Sequence, residues 1–197
     1  DIKFLSDFHK SVENHFDSSV DILVNNNGGP PPGPAISHDE DAWANAINGN
    51  LLSTIRMTNL VIPGMIQAQW GRIINLTSAA AKEPAPGMVL SNVTRAAVAA
   101  FSKTMAHEHG SDGITFNTIL TGGVATERFN SLVQKQVESL GKTIEEVMDG
   151  INKTIPCGYV SSPDEFAKYI IFIASNEASF LTGTAIPIDG GASKGIF

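Results

Sequence analysis

Cysteine is nearly absent from this sequence: Cys157 is the single one in 197 residues. A lone cysteine excludes an internal disulfide and a cysteine-based metal site, so we expect a reducing, cytoplasmic setting. His107 and His109 lack the spacing of a helical zinc site, and we expect no metal. Basic residues are also few, and a net charge of −7 argues against binding of nucleic acid. No run reaches the roughly 20 apolar residues of a membrane span.

What the sequence does contain is an alternation of short apolar runs and longer helical stretches. The apolar runs lie at 21–24, 71–78, 113–120 and 183–191, each bounded by Gly, Pro, Asn or Asp. Such runs are typical of strands buried on both faces. Helix-length stretches lie at 3–16, 39–68, 91–109, 126–150 and 163–175. The pattern predicts one α/β domain, 1–197, with a parallel sheet covered by helices.

Two hydroxyl side chains and one cation follow the second predicted strand. Ser78 ends this strand, Ser91 lies at the start of the next helical stretch, and Arg95 lies one helical turn further on. Ligands of open parallel sheets bind outside the carboxyl ends of the strands, so these groups are candidates for a site. The spacing equally allows that Ser78 merely ends a strand, Ser91 caps a helix and Arg95 is a solvated cation.

Five segments carry a more specific signal. They are DILVNNNGG at 21–29, WANAINGNLLST at 43–54, GRIINLTS at 71–78, FNTILTGGVAT at 116–126 and TGTAIPIDGG at 182–191. In this order they resemble motifs of the short-chain dehydrogenase/reductase family, in particular its 3-oxoacyl-carrier-protein reductases. The resemblance implies a Rossmann-like, doubly wound parallel sheet. It also implies an NAD(P)-dependent oxidoreductase that reduces a small-molecule carbonyl or oxidises an alcohol.

The resemblance implies roles for single residues as well. Ser78 matches the catalytic serine, and Asn50 matches a helix asparagine that holds a water in a proton relay. Five residues match positions that line the cofactor cleft: Asn25 and Gly28 on the adenosine side, and Gly122, Val124 and Thr126 in the loop that holds the nicotinamide carboxamide. For Gly28 the alternative is a simple turn in which Gly28 and Gly29 supply positive φ angles.

Two departures from the family pattern matter. The family has Tyr-x-x-x-Lys where this sequence has Ser91 and Arg95. Serine is a far weaker acid than a phenol, so the proton donor is left open between Ser91, a water and the substrate. Arg95 can still position the cofactor ribose, but it cannot relay a proton because it is permanently protonated. The rival hypothesis is therefore a binding or assembly protein that keeps the scaffold without turnover.

The second departure is the absence of the family's Gly-rich phosphate-binding turn. The resemblance then implies that the first three strands of the fold are missing, and the choice between NADP and NAD stays open. Residues 127–159 match the position of a substrate lid, and the C-terminal tail matches one that packs between subunits. We therefore expect a homodimer or homotetramer.

Overall fold

The protein is built on one four-stranded parallel sheet. The computed structural model describes residues 2–196. The strands lie in the order of the chain: β1 (Ile22–Asn25), β2 (Gly71–Leu76), β3 (Ile114–Thr121) and β4 (Thr184–Ile188). The register pairs Leu23 with Ile73 and Ile73 with Phe116 across the first three strands. This confirms the predicted α/β class and the parallel sheet.

Seven α-helices connect and cover the strands of the described chain. They are α1 (Ile2–Phe16), α2 (Glu40–Ala46), α3 (Ser53–Ala68), α4 (Val89–His109), α5 (Glu127–Leu140), α6 (Ile144–Lys153) and α7 (Pro163–Ala174). The helices between strands act as the crossovers that parallel pairing requires. Among residues 2–196, no helix is both long and apolar enough to cross a membrane.

Apolar side chains on the two faces of the sheet form separate core clusters. On one face Ile73 and Phe116 pack with residues of α3 and α4 such as Val61, Met65 and Met105. On the other face the next residue, Ile74, packs with Ile119 and with side chains of α7. Successive residues of a strand point to opposite faces, so nearly every side chain of β2 and β3 is buried. This explains why these strands read as continuous apolar runs.

A buried amide links the last two strands. The Asn117 side chain, fully buried in β3, donates from Nδ2 to the carbonyl of Leu181 at 2.7 Å. Its Oδ1 accepts from Thr184 Oγ1 at 2.9 Å. The residue thereby fixes the start of β4 against β3, which sets the position of the loop that follows each strand.

Two predicted elements differ in length from those observed. The helical stretch predicted at 39–68 is α2 and α3 separated by a π-helical turn, Ile47–Leu52. The strand predicted at 183–191 ends at Ile188, because Gly190 and Gly191 have positive φ angles that extended backbone does not adopt. Both differences fall beside the candidate site.

Candidate active site

A cavity of about 750 Å³ lies at the carboxyl ends of β1, β2 and β3. Its walls come from the loops that follow these strands and from the facing sides of α4, α5 and α7. The lining includes seven of the nine predicted site residues: Gly28, Ser78, Ser91, Arg95, Gly122, Val124 and Thr126. The position is the one that open parallel sheets use for ligands. Asn25 and Asn50 lie outside the lining.

Ser78 lies just beyond the end of β2. Its side chain caps a short 3₁₀ turn, Ala79–Ala81, by accepting a hydrogen bond from the Ala80 N–H at 3.2 Å. The preceding residue, Thr77, anchors the same segment, because its hydroxyl donates to the Ile119 carbonyl at 2.9 Å. The Ser78 hydroxyl is therefore held at the strand tip on the wall of the cavity.

Ser91 and Arg95 lie on one face of α4 and are both buried. The helix begins at Val89, two residues before Ser91, so the alternative that Ser91 caps the helix is wrong. The alternative of a solvated Arg95 is also wrong. The Arg95 guanidinium donates to the Leu76 carbonyl at 3.1 Å and to the Asn27 carbonyl at 3.3 Å. It therefore joins the ends of β1 and β2 at the cavity.

The surroundings of Arg95 destabilise its charged form. Burial lowers the pKa of the Arg95 guanidinium below its usual range, and the positive charge of Arg128 lowers it further. Neither guanidinium has a carboxylate within ion-pair distance among residues 2–196. Burial of a cation without an acidic partner is costly, and an anionic ligand in the adjoining cavity would offset this cost.

Asn50 is positioned by the π-helical turn between α2 and α3. Its Nδ2 donates to the Gly28 carbonyl at 2.8 Å, and its own carbonyl accepts from Thr54 Oγ1 at 2.9 Å. Asn27, which the sequence analysis did not identify, lines the cavity and donates to Ser53 Oγ at 2.8 Å. These bonds tie the loop after β1 to the π-helical turn. Helical bulges of this kind are frequent at functional sites.

The residues predicted to bind the cofactor fall into two groups. Gly28, Gly122, Val124 and Thr126 line the cavity, and Thr126 also caps α5 by accepting from the Phe129 N–H at 3.3 Å. Asn25 is buried and donates to the side chain of Asn75 at 2.8 Å. Its role in cofactor binding stays a prediction.

The two glycines predicted to line the cofactor cleft, Gly28 and Gly122, differ in what their lack of a side chain allows. Gly28 has no positive φ angle, so the alternative that it supplies one is wrong. At Gly122 an added Cβ would lie 2.5 Å from the Cα of Asp189. The loop after β3 can therefore pass the end of β4 because position 122 has no side chain.

Arg128 is a further cavity residue that the sequence analysis missed. It is the second residue of α5, and its Nη2 donates to the Pro30 carbonyl at 3.3 Å. Sequence spacing gives no sign of this contact, because Arg128 and Pro30 lie 98 positions apart in the chain. Arg128 is exposed at the rim, whereas Arg95 is buried deeper in the wall.

The cavity holds hydroxyls and fixed positive charge but no conventional acid or base. No Asp, Glu, His, Cys, Tyr or Lys is among its lining residues in the described chain. The arrangement can therefore orient a polar ligand and stabilise negative charge on an oxygen atom. It offers no side chain that ordinarily exchanges a proton near neutral pH.

Comparison with known proteins gives consistent matches along the chain. The model of the enoyl-(acyl carrier protein) reductase family matches residues 1–193. The acetoacetyl-CoA reductase of Shinella zoogloeoides is 33% identical over 172 residues, which cover 87% of this chain and 67% of that protein. The 3-oxoacyl-[acyl-carrier-protein] reductase FabG of Pseudomonas aeruginosa is 32% identical, with 86% of this chain and 64% of that protein covered. The chain thus spans about two thirds of the length of these relatives.

Solved structures show the same architecture. YwfH, an NADPH-dependent reductase involved in bacilysin biosynthesis, superposes with a TM-score of 0.93 at 27% identity, covering 100% of this chain and 75% of that one. A variant of actinorhodin polyketide ketoreductase, solved with NADPH, gives a TM-score of 0.91 at 26% identity, covering 98% and 74%. The sheet, its helices and their connections are therefore those of Rossmann-like reductases.

Proposed function

We propose a function from one premise: this chain belongs to the short-chain dehydrogenase/reductase family, with a sequence similar to 3-oxoacyl-[acyl-carrier-protein] reductases. The proposed activity is nicotinamide-dependent reduction of a small-molecule carbonyl, or oxidation of the corresponding alcohol. One observation carries the proposal. Ser78, Ser91, Arg95 and the loop from Gly122 to Thr126 line a single cavity at the carboxyl ends of the strands.

The residues of the cavity fit an anionic dinucleotide. Arg95 is a buried cation with no acidic partner among the described residues, and such a charge is stabilised by an anionic ligand. A bound nicotinamide dinucleotide supplies the hydride. We propose that Arg95 orients its ribose and that five further residues hold the rest of it: Asn25, Gly28, Gly122, Val124 and Thr126. Either NADP or NAD satisfies these contacts, and parallel titrations with NADPH and NADH decide between them.

Ser78 is the proposed catalytic group for the carbonyl oxygen. Its hydroxyl donates to that oxygen and stabilises the negative charge that develops there. Asn50 acts at a distance, because its amide holds the Gly28 carbonyl and its backbone holds the π-helical turn. We propose that the turn positions a water for the proton relay. The proton itself comes from Ser91, from water or from the substrate.

Steady-state kinetics of carbonyl-dependent NAD(P)H oxidation test the role of Ser78. Ser78→Ala is expected to lower kcat about 100-fold or more, the usual effect of removing one donor to a developing oxyanion. Ser102→Ala is the matched control, because Ser102 lies buried on α4, lines no part of the cavity, and its hydroxyl has no hydrogen-bond partner. Equal rates for the two variants would contradict the assignment.

No side chain that titrates near neutral pH lines the cavity in the described chain, and this gives a second test. If water or the substrate supplies the proton, kcat is independent of pH between about 6 and 9, where a general acid would titrate. The double variant Ser91→Tyr, Arg95→Lys restores the family pair and is expected to raise the rate. A wild-type kcat that falls on a single ionisation in this range would point to a titrating general acid and contradict all three proposed proton sources.

A second candidate is a binding or assembly protein that does not turn over. One observation favours it: no phenol lines the cavity in the described chain. Tyr159 lies elsewhere, where its hydroxyl donates to Glu165 at 2.7 Å. Titration of the protein with NADPH and NADH by fluorescence separates the two candidates. Binding without oxidation by any ketone would support the second one.

We propose that 127–159 acts as a substrate lid within a single domain. Phe129 and Leu132 of α5 line the cavity, and α5 joins α6 at Gly141, whose φ angle is +63°. Lids of this type enclose the substrate and exclude water. Faster proteolysis of this segment without ligand than with ligand would support the proposal. Equal rates would contradict it.

Assembly as a homodimer or homotetramer is also proposed. Large apolar side chains of the described chain remain exposed at the end of α7 and just after it, among them Phe172 and Phe180. Exposed apolar surface of this kind is frequent at subunit interfaces. Size-exclusion chromatography with light scattering gives the mass directly, and a monomer would contradict the proposal. The single Cys157 is compatible with a cytoplasmic setting, which we also propose.

A further inference from the structure

Arg128 connects the start of α5 to the loop that follows β1. Its Nη2 donates to the Pro30 carbonyl, and its guanidinium lies over Gly29, where an added Cβ would be 2.7 Å from Nη2. The side chain thus extends along the rim of the cavity. The described hydrogen bonds use one of the five N–H donors of this guanidinium, at a long distance of 3.3 Å. Most of its binding capacity remains for a ligand.

The charge around the cavity is opposite in sign to the charge of the whole chain. The sequence carries a net charge of −7. Within the described part of the chain, the cavity lining nevertheless contains Arg95 and Arg128 and no acidic residue. The ion pairs of the structure lie elsewhere, and neither guanidinium takes part in them. The two cations interact unfavourably, since the charge of Arg128 contributes to the lowered pKa of Arg95.

Two neighbouring cations repel each other, and an anionic occupant of the cavity relieves this repulsion. Arg95 is held by the carbonyls of Leu76 and Asn27, and its proposed task is the cofactor ribose. Arg128 has no such task. It lies on the proposed lid next to Phe129 and close to Leu132, both of which line the cavity. The charge of Arg128 therefore stands beside apolar lining residues of its own helix, while its guanidinium lies over Gly29 of the loop after β1.

We propose that Arg128 is a specificity-determining residue that selects carbonyl substrates carrying a carboxylate, that is, keto acids. This inference rests on the proposed function and adds its substrate class. The planar guanidinium matches a carboxylate with two parallel N–H···O bonds, which a neutral ketone cannot accept. The carboxylate replaces the single long bond to Pro30 and neutralises the cation at the rim.

The test measures equilibrium binding without turnover. Isothermal titration compares 4-oxopentanoate with its methyl ester, which has the same ketone but no charge. Wild-type protein is expected to bind the acid more tightly. Arg128→Gln is expected to weaken binding of the acid about tenfold, the lower end for a hydrogen bond to a charged group because the rim is exposed. Binding of the ester should stay within about twofold.

Two further variants make the outcome specific. Lys135→Gln removes the same charge from an exposed position of the same helix outside the cavity, and it should change neither affinity. Arg128→Lys keeps the charge and should retain part of the preference for the acid. The proposal is overturned if the wild type does not prefer the acid, or if Arg128→Gln weakens acid and ester equally.

A third ligand distinguishes the substrate from the cofactor as the source of the anion. Inorganic pyrophosphate stands for the diphosphate of a dinucleotide. If Arg128→Gln weakens binding of pyrophosphate but not of 4-oxopentanoate, Arg128 serves the cofactor and the proposal fails. Because these measurements need neither cofactor nor turnover, their result is independent of whether the protein reduces ketones. Conversely, a reductase that handles acid and ester equally would refute the role of Arg128 alone.

Discussion

Replacement of Arg95 by methionine is expected to leave the stability of the fold almost unchanged while it removes binding of the nicotinamide dinucleotide. Arg95 is 9% exposed and donates to two backbone carbonyls, and it has no carboxylate partner among the described residues. A buried side chain of this size would ordinarily stabilise the fold. Here two opposing terms nearly cancel.

The magnitude follows from those contacts. Hydrogen bonds from a charged donor contribute about 1.5 kcal/mol each at the lower end, which suits the long distances of 3.1 and 3.3 Å and gives about 3 kcal/mol in total. Burial of a cation without a counter-charge costs several kcal/mol. Methionine fills much of the space of the arginine stem, and the freed carbonyls face a cavity that water can enter. The net change should be within about 1 kcal/mol.

Urea denaturation followed by circular dichroism measures this change. Arg72→Met is the control, because Arg72 is a second buried arginine that lies outside the cavity. Its guanidinium donates to three backbone carbonyls and lies 4.3 Å from the Trp70 ring centroid. Its loss should cost about 2 kcal/mol or more. If Arg95→Met lowers the free energy of unfolding by more than about 3 kcal/mol, the prediction is wrong, because the buried charge of Arg95 would then stabilise the fold without a ligand.

Three further predictions concern the scaffold. Gly113→Ala should lower the free energy of unfolding by about 2 kcal/mol more than Gly141→Ala, as measured by urea denaturation. Both glycines have positive φ angles, but the new Cβ at position 113 would lie 2.2 Å from a backbone carbonyl oxygen, whereas at position 141 it has no neighbour within 4 Å among the described residues. Asn117→Leu should lower the unfolding free energy by about 2 kcal/mol because two half-buried partners lose their bonds, and a cost below about 1 kcal/mol would contradict this. Tyr159→Phe should raise the pKa of Glu165, which its hydroxyl bond holds low. Because its folded pKa is lowered, Glu165 stabilises the fold above its unfolded pKa, and this stabilisation is lost as pH falls through its folded pKa. The variant should therefore lose less stability on acidification. Carboxyl NMR titration measures the pKa of Glu165, and stability measurements at several pH values measure the loss.

The strands could be predicted from the sequence because of where they lie. Strands of a covered parallel sheet are buried on both faces, so each is a short apolar run rather than an alternating one. The runs at 21–24, 71–78 and 113–120 match β1, β2 and β3 to within one or two residues at each end. The run at 183–191 extended past β4, because apolar content does not record the turn that Gly190 and Gly191 make.

The details of the site were harder to predict because they depend on contacts between distant residues. The π-helical turn at Ile47–Leu52 inserts one residue into a helix, and a periodicity summed over 39–68 is too coarse to register it. The burial of Arg95 depends on the Leu76 and Asn27 carbonyls, which lie 19 and 68 positions away. Spacing alone therefore left a solvated cation as an equal alternative. Arg128 was missed for the same reason.

Three residues of the cavity lining, Ser91, Arg95 and Arg128, affect its chemistry in the same way. The resemblance to the family motifs places Ser91 where the family has a tyrosine and Arg95 where it has a lysine, so two groups that can exchange protons are replaced by groups that do not. Arg128 adds further permanent charge at the rim. Fixed dipoles and charges stabilise an anion without changing their own protonation, and they lose no stabilisation as pH changes. A cavity of this composition can therefore hold negative charge on a bound substrate, and it leaves Ser91, water and the substrate as the proposed sources of the proton.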